Sequence, residues 1–307
     1  MNRGQENDKI NDLKLLIMKE QVVLSLFNGM NTLRQAMENV GIPVKKYYSS
    51  EIKPYAIKLT QHHFPDTIQL GDITKWREWD IDWSEITFIG SGSPCQDLSS
   101  MGKREGLNGK KSSLFFEFID ILNHCKKLNP DVKFLQENVG SASELDIGII
   151  SRLLGVYPVL INSEKVVAQQ RLRYYWSNIK IKQNLFDVIT DIPEPKDKNI
   201  LLKDVITSGE VKDKKHKALM HRMYYSFGHK DKLSEKAQKY IRDREKFGNT
   251  IIYEDGYLRL ANKMELCRLQ GFPDNYCDIL NLQEAASVLG DGWTLPIIEH
   301  ILSFYKN

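Results

Sequence analysis

Cysteine is scarce in this sequence, and no two cysteines stand in Cys-x-x-Cys spacing. The four that occur, Cys95, Cys125, Cys267 and Cys277, are too few for a disulfide framework in a chain of 307 residues. This pattern excludes the small disulfide-stabilised secreted domains and favours a reducing compartment. We expect Cys125, Cys267 and Cys277 to be small buried side chains, because a free cysteine is more often buried than reactive.

Long apolar runs are also absent. The first 20 residues are polar apart from a short apolar patch at 13–18, whereas a bilayer-spanning helix needs about 20 apolar residues. We therefore expect neither a signal peptide nor a membrane anchor. With 41% hydrophobic and 27% charged residues, the composition is that of a folded chain. Its length predicts one large domain and a smaller module.

The formal net charge is only +3, which by itself argues neither for nor against nucleic acid. The distribution of charge is more informative. Residues 203–246 contain 13 Lys and Arg against 7 Asp and Glu, while the rest of the chain is slightly acidic. Basic charge is therefore concentrated in one late segment.

Strand-like and helix-like segments alternate over the first 180 residues, which predicts βαβ units and a mostly parallel sheet. The expected strands are 22–27, 46–50, 68–73, 86–91, 132–136 and 171–179, and the expected helices are 32–40, 54–63, 114–122 and 296–305. Polar residues of interest recur where strands end, at the edge where open α/β sheets bind ligands.

We divide the chain into an N-terminal extension (1–20), a catalytic and cofactor-binding domain (21–180), a second module (181–257) and a C-terminal return to the first domain (258–307). The alternation fades at about residue 181, where a Lys-rich stretch with several Pro and Gly begins. From residue 258 onward, apolar helical patterns resume.

The turn after the first strand is Phe27-Asn28-Gly29, which lacks the Gly-x-Gly-x-x-Gly of a dinucleotide site. This disfavours a dinucleotide oxidoreductase. Glu51, after the second strand, is suited to accept hydrogen bonds from ribose hydroxyls, and Asp72 could meet an adenine amino group. Taken singly, Glu51 reads as a helix N-terminal acid, Asp72 as a turn acid and Gly29 as a turn former.

Cys95 follows a strand on a polar loop, where a thiol can be exposed and reactive. Glu137 ends the next strand, about one strand spacing of 5 Å away. Arg171 and Arg173 stand at alternate positions of an expected strand, so both should face one side. An ion pair between Glu137 and an arginine is the plain structural alternative, because a buried carboxylate needs a partner.

An ordered set of motifs now spans nearly the whole chain and resembles the motif series of the DNA cytosine-5 methyltransferases. The motifs are Phe27-Asn28-Gly29, Glu51, Gly71-Asp72-Ile73, Pro94-Cys95-Gln96, Glu137-Asn138-Val139, Gln169-x-Arg171-x-Arg173, Arg268-Leu269-Gln270-Gly271-Phe272-Pro273 and Gly290-Asp291-Gly292-Trp293. The residues at 24–27, 114–118 and 173–176 resemble most the animal de novo branch of that family.

The resemblance implies an α/β fold with the Rossmann-like sheet of class I S-adenosylmethionine-dependent methyltransferases and a small target recognition module. It implies that Cys95 attacks C6 of a flipped cytosine, that Glu137 contacts N3, and that Arg173 binds the O2 side. Arg171 would support the loop or a phosphate. The methyl group of S-adenosyl-L-methionine then moves to C5, which leaves S-adenosyl-L-homocysteine.

The same resemblance assigns a set of residues to the cofactor. They are Phe27, Asn28, Gly29, Thr32, Glu51, Ile52, Asp72, Ile73, Pro94, Leu114, Asp291, Gly292 and Trp293. Two positions depart from the family, which commonly has an acid or alanine where Asn28 stands and an Asn where Asp291 stands.

Double-stranded DNA is the partner implied. The glycine-spaced, basic loop 96–113 resembles the mobile loop of the family, and the module 181–257 stands where its target recognition region lies. The DNA contacts expected there are Gln96, Ser99, Lys103, Arg104, Arg222, Lys230 and Lys232. The plain alternative for both segments is a solvated surface.

Two alternatives stay open on the sequence. A branch of the same family acts on transfer RNA, although its wording is less like this chain. The other alternative is a catalytically silent homologue that only binds DNA. Such a homologue would be expected to have lost Cys95, Glu137 or Arg173. We expect a cytoplasmic protein in a bacterial or phage-like context, or a nuclear one if eukaryotic, and not a secreted protein.

Overall fold

The computed structural model describes residues 19–94, 114–219 and 251–305, together with the isolated positions 224, 234, 235 and 239. Its centre is a seven-stranded sheet with strand order β3-β2-β1-β4-β5-β7-β6. The strands are β1 Gln21–Leu26, β2 Val44–Ser50, β3 Ile68–Gln69, β4 Phe88–Ser91, β5 Lys133–Val139, β6 Val159–Asn162 and β7 Leu172–Ser177. The α/β fold class is therefore confirmed.

The helices alternate with these strands. They are α1 Thr32–Asn39, α2 Pro54–His63, α3 Leu114–Leu128, α4 Glu144–Leu154, α5 Lys263–Gln270, α6 Leu282–Asp291 and α7 Leu295–Leu302. Local signals set several of their ends: Ser143 caps α4 through its hydroxyl, Pro54 opens α2, and Gly155 closes α4 in the left-handed conformation.

Five neighbouring strands run parallel to one another: β3, β2, β1, β4 and β5. Strand β7 is antiparallel to both of its neighbours, β5 and β6. The strand order reverses between β1 and β4, since β2 lies on one side of β1 and β4 on the other. Open α/β sheets bind ligands at the carboxyl ends of strands beside such a reversal. The fold therefore places a binding edge at the ends of β1, β2, β4 and β5.

Each face of the sheet is covered by its own apolar layer. Along β1, Val23 packs into the layer that also contains α1, α5, α6 and α7, whereas Val22, Leu24 and Leu26 pack into the layer with α3 and α4. The alternation follows from the period of two along a strand. Because both faces are buried, the strand reads as a nearly continuous apolar run.

Most expected elements are confirmed within a residue or two, and four differ. One is α7, which was expected to reach residue 305 but ends at Leu302. The third strand was expected to be 68–73 but covers only Ile68–Gln69, because Asp72 starts a short 3-10 helix, Ile73–Glu78. Strand β5 runs on to Val139, so Glu137 lies inside the strand instead of after it. Helix α3 extends to Leu128, six residues beyond the expected end.

Two hairpins lie within or next to residues 181–257, the range expected to form a second module. Strands β8 Ile181–Gln183 and β9 Val188–Thr190 pair with each other, as do β10 Ile252–Glu254 and β11 Tyr257–Arg259. The first hairpin is tied to the main domain, because Thr190 N donates to Tyr157 O over 2.9 Å. This hairpin follows β7 in the chain. Because β7 ends beside the start of β5, the hairpin lies at the opposite edge of the sheet from the carboxyl end of β5.

Cys125, Cys267 and Cys277 are buried, as expected. Burial raises the pKa of Cys125 to about 12, so this thiol stays protonated and unreactive. Over the ranges that the structure describes, no helix combines the length and apolarity that a membrane crossing needs.

Candidate active site

The turn after β1 has an unusual backbone conformation. Phe27 and Gly29 have φ values of 55° and 56°, and Asn31 has 66°. Such positive values are costly for residues other than glycine and persist only where surrounding contacts hold them. One contact is the carboxylate of Glu51, whose Oε2 accepts a hydrogen bond from Gly29 N over 2.8 Å.

Glu51 joins two segments at the carboxyl edge. Besides Gly29, it binds the two residues that follow it, since Oε1 accepts from Ile52 N at 2.8 Å and from Lys53 N at 2.9 Å. The side chain of Ile52 next to it is 69% exposed, which is unusual for a large apolar residue. An acidic acceptor and an uncovered apolar side chain therefore stand together.

Asn28 has a structural role in this turn. Its side chain is buried, donates to Thr60 Oγ1 over 3.3 Å and accepts from Tyr47 OH over 3.2 Å. These bonds connect the turn to α2 and β2. Contact of Asn28 with a cofactor stays a prediction.

Asp72 caps the helix Ile73–Glu78, and its Oδ1 accepts from the Thr74 amide and hydroxyl, each at 2.9 Å. Ser50 Oγ donates to Gly71 O over 2.8 Å and so ties this turn to the end of β2. Asp72 is exposed, whereas Ile73 is buried. The Asp72 carboxylate can cap the helix and also contact a ligand, because a carboxylate can accept about four hydrogen bonds.

Glu137 and Arg173 meet on β5 and β7. Arg173 Nε lies 2.8 Å from Glu137 Oε1, and their side chains are only 15% and 10% exposed. The antiparallel register pairs Glu137 with Tyr175 and Val139 with Arg173, so the two charged side chains lie two positions apart along the ladder. Burial, and next the Glu137 charge, raise the pKa of Tyr175 above its usual range. The ion pair expected as the structural alternative is therefore present.

A third residue binds the same carboxylate. Trp293 Nε1 donates to Glu137 Oε2 over 3.1 Å, although 156 residues separate them. Oε2 of Glu137 thus accepts a hydrogen bond from the indole, while Oε1 lies within ion-pair distance of Arg173. Gly292 and Trp293 follow α6, which ends at Asp291, and bring the indole to the carboxyl ends of β4 and β5.

Arg171 lies elsewhere than on a strand. It precedes β7, is buried, and its two terminal nitrogens donate to Gly290 O at 2.9 Å and Gly292 O at 2.8 Å. Arg171 therefore holds the turn that leads to Trp293. The two roles expected for it, support of the loop or of a phosphate, stay predictions.

The chain that leads to Cys95 is anchored next to Glu137. Ser93 is buried and accepts a hydrogen bond from Gln136 Nε2 over 3.0 Å, and β4 pairs with β5 up to Ser91 and Gln136. The described chain stops at Pro94, half-buried at this edge, and resumes at Leu114, the first residue of α3. Cys95 itself lies outside the described residues.

The expected DNA contacts also fall on residues that the structure does not describe. They are Gln96, Ser99, Lys103, Arg104, Arg222, Lys230 and Lys232. Their roles stay predictions. Among the residues that are described, no group of three or more His, Cys, Asp or Glu is arranged to hold a metal ion.

The sequence did not reveal which partner Trp293 has, or why Gly92 is needed. A Cβ built on Gly92 would lie 2.8 Å from Trp293 Nε1 and 3.3 Å from its Cε2, closer than the indole allows. The run of small residues at 90–93 was the only local signal, since it marks a place where another group approaches the backbone. Lys53, another residue not anticipated, pairs with Asp291 over 2.7 Å and so connects the start of α2 to the end of α6.

Comparison of the sequence with known proteins identifies the family. A family profile described as C-5 cytosine-specific DNA methylase matches residues 22–227. The type II methyltransferase M.NlaIV of Neisseria lactamica is 33% identical over 206 residues, which are 60% of this chain and 47% of the relative. The chain therefore spans about half the length of that relative.

Two further similarities cover most of the chain. The type II methyltransferase M.HpaII of Haemophilus parainfluenzae is 25% identical over 90% of this chain and 86% of its own length. Among solved structures, the methyltransferase EhMeth of Entamoeba histolytica superposes with a TM-score of 0.64 at 16% identity, over 94% of this chain and 98% of that one. At this identity the likeness shows the fold alone.

Proposed function

The chain belongs to the C-5 cytosine-specific DNA methylase family, and on that premise we propose that it transfers a methyl group from S-adenosylmethionine to carbon 5 of a cytosine in double-stranded DNA. The observation that carries the proposal is the buried pair of Glu137 and Arg173 at the carboxyl edge of the sheet. An acid and a guanidinium held together there can bind the polar edge of a pyrimidine.

The family and its fold are those of S-adenosylmethionine-dependent methyltransferases, and the residues of the cleft fit this cofactor. Glu51 and Asp72 offer carboxylate acceptors for ribose hydroxyls and the adenine amino group, and the exposed side chain of Ile52 offers an apolar surface for the base. The single-glycine turn at Gly29 suits an adenosine group without phosphates. When bound, S-adenosylmethionine supplies an electrophilic methyl group on a sulfonium.

The remaining chemistry falls to the protein. Carbon 5 of cytosine is a poor nucleophile, so we propose that the Cys95 thiolate forms a bond to C6 and pushes electrons toward C5. Glu137 would share a proton with ring N3 and so stabilise the adduct, while Arg173 binds the O2 side. After methylation, water takes the C5 proton, the electrons of that C–H bond form the C5=C6 double bond, and the bond between sulfur and C6 breaks to restore the thiolate.

A base stacked in a duplex cannot reach such a site. The target nucleotide must therefore be rotated out of the helix, at a cost of a few kcal/mol in stacking and pairing. The basic segments around Lys103 and Arg104 and around Lys230 and Lys232 are the candidates to offset this cost through phosphate contacts. They carry the DNA-binding part of the proposal.

The test is a methyl-transfer assay with labelled S-adenosylmethionine, offered duplex DNA in one reaction and transfer RNA in another, followed by nucleoside analysis. We expect label in 5-methylcytosine from DNA only. Label in RNA alone would contradict the DNA assignment, and no label in any cytosine would contradict the activity.

A pair of cysteine variants tests the nucleophile. Cys95→Ala should abolish transfer while folding and cofactor binding stay intact. Cys125→Ala is the matched control, because that thiol is buried in the core and should be dispensable for turnover. Turnover by Cys95→Ala at the wild-type rate would show that another group attacks C6.

A further inference from the structure

The carboxylate of Glu137 is held at both oxygens. Arg173 Nε lies 2.8 Å from Oε1, and Trp293 Nε1 lies 3.1 Å from Oε2. A side-chain carboxylate with one donor can still rotate about its last torsion, which is broad and roughly two-fold. With an ion pair at Oε1 and the indole hydrogen bond at Oε2, that rotation is restricted and the plane of the group is set.

Trp293 is itself held from several sides. Its ring lies over the backbone of β4, where Cβ atoms built on Gly90 and Gly92 would come within 3.6 Å and 2.8 Å of the indole. Thr32 Oγ1 donates to Trp293 O over 3.5 Å. Arg171 secures the two glycine carbonyls of the preceding turn. The indole N–H is thus directed at Glu137 by the fold and not by a flexible loop.

We propose that Trp293 is a positioning residue for Glu137, whose indole N–H orients the carboxylate toward the cytosine ring. This inference rests on the proposed function, because it assigns a role within that reaction. It goes beyond the cofactor contact expected for Trp293. It also links two parts of the site. The segment Asp291–Trp293 is expected to contact the cofactor, and it reaches the acid that is expected to contact the base.

The first test replaces the donor and keeps the ring. Trp293→Phe should lower kcat about tenfold, the scale of losing one hydrogen bond to a charged group. Affinity for S-adenosylhomocysteine, measured by calorimetric titration, should change less than about threefold. Trp76→Phe is the matched control, because Trp76 Nε1 also donates to a carboxylate, Glu117 Oε2 at 3.0 Å, outside the proposed site. We expect it to keep kcat within about twofold.

The second test asks whether Trp293 acts through Glu137. In a Glu137→Gln background, which should retain weak activity, adding Trp293→Phe should cost less than about twofold, because the group it positions has already been altered. The same tenfold loss in both backgrounds would overturn the proposal, since a purely structural or cofactor role would give additive effects. A parallel fall in cofactor affinity and kcat/KM would do so too.

A third measurement needs no change at Trp293 and covers the case in which its variant fails to fold. The chain has five tryptophans, and their indole N–H groups give separate signals in a nitrogen-15 NMR spectrum. Glu137→Gln should move one of them strongly. If none moves, the contact is wrong, whether or not the protein methylates DNA. If wild type fails to methylate cytosine while one signal moves, the contact between Trp293 and Glu137 stands, and the proposed function fails together with the role assigned to Trp293 in it.

Discussion

Arg173 and Glu137 form an ion pair across two antiparallel strands, with 2.8 Å between Nε of one and Oε1 of the other. The chain leaves β5, passes through α4 and β6, and returns antiparallel on β7 before the two side chains meet. Because both are nearly buried, neither charge can be removed without leaving the other poorly solvated. The pair is therefore the most sensitive point of the candidate site.

Replacement of Arg173 should be far more damaging than replacement of an exposed arginine. Arg173→Ala should lower kcat/KM about 100-fold, because it removes the ion pair with Glu137 and the proposed contact with the base. Arg173→Lys should recover only part of this loss, since an ammonium cannot reproduce the planar fork. Arg77→Ala is the control: its pair with Asp120 is about 60% exposed, and its loss should change activity less than about twofold.

Glu51→Gln should weaken cofactor binding about tenfold and lower the melting temperature by a few degrees. The carboxylate accepts from three backbone amides, whereas the amide of Gln offers one acceptor oxygen. Calorimetric titration with S-adenosylmethionine measures the first effect and thermal unfolding the second. Glu85→Gln, on a partly exposed pair with Lys46, should leave binding unchanged. Equal affinities in both variants would remove Glu51 from the pocket.

Gly92→Ala should reduce activity, because its added Cβ would lie 2.8 Å from the indole nitrogen of Trp293 and push the ring away from Glu137. We expect at least a fivefold fall in kcat and about 1–3 kcal/mol of lost stability. Gly148→Ala in α4 is the opposite case, since its Cβ would meet only Arg152 Nη1 at 3.7 Å. That change should raise the free energy of unfolding by about 0.5–1 kcal/mol and leave kcat unchanged. Full activity of Gly92→Ala would mean that the indole can shift without consequence.

Stability should fall in mild acid because of His216. Burial lowers the pKa of this side chain from 6.5 to about 4, although the Lys217 carbonyl partly counters the effect. Between those pH values the unfolded chain binds a proton that the folded chain does not, so the free energy of unfolding decreases as pH falls from 6.5 toward 4. The full contribution is about 3 kcal/mol.

Urea unfolding from pH 7.5 to 4 checks this prediction. His216→Asn should flatten the slope in that interval, whatever its effect on stability at neutral pH. His62→Gln, at an exposed histidine, should leave the slope as it is in the wild type. An identical slope in wild type and His216→Asn would show that other groups cause the acid sensitivity.

Much of the fold could be predicted from local patterns. The apolar runs at β1 and β4 and the proline that opens α2 are properties of short segments, so they could be read directly. The third strand was one exception. Asp72 prefers to cap a helix, and this local hydrogen bond ended the strand before the apolar pattern did.

Within the candidate site, the sequence by itself determined which chemical groups are present and at which strand ends they stand. Glu51, Asp72, Glu137 and Arg173 were identified in this way, because motif order and strand polarity are written along the chain. Only the tertiary structure decided that Arg171 binds the Gly290–Gly292 turn and that Trp293 donates to Glu137. Such pairings join segments more than 100 residues apart, and they depend on how helices and loops pack around the sheet. No local periodicity encodes that packing, since each partner is chosen by shape and hydrogen-bond need once the chain has closed.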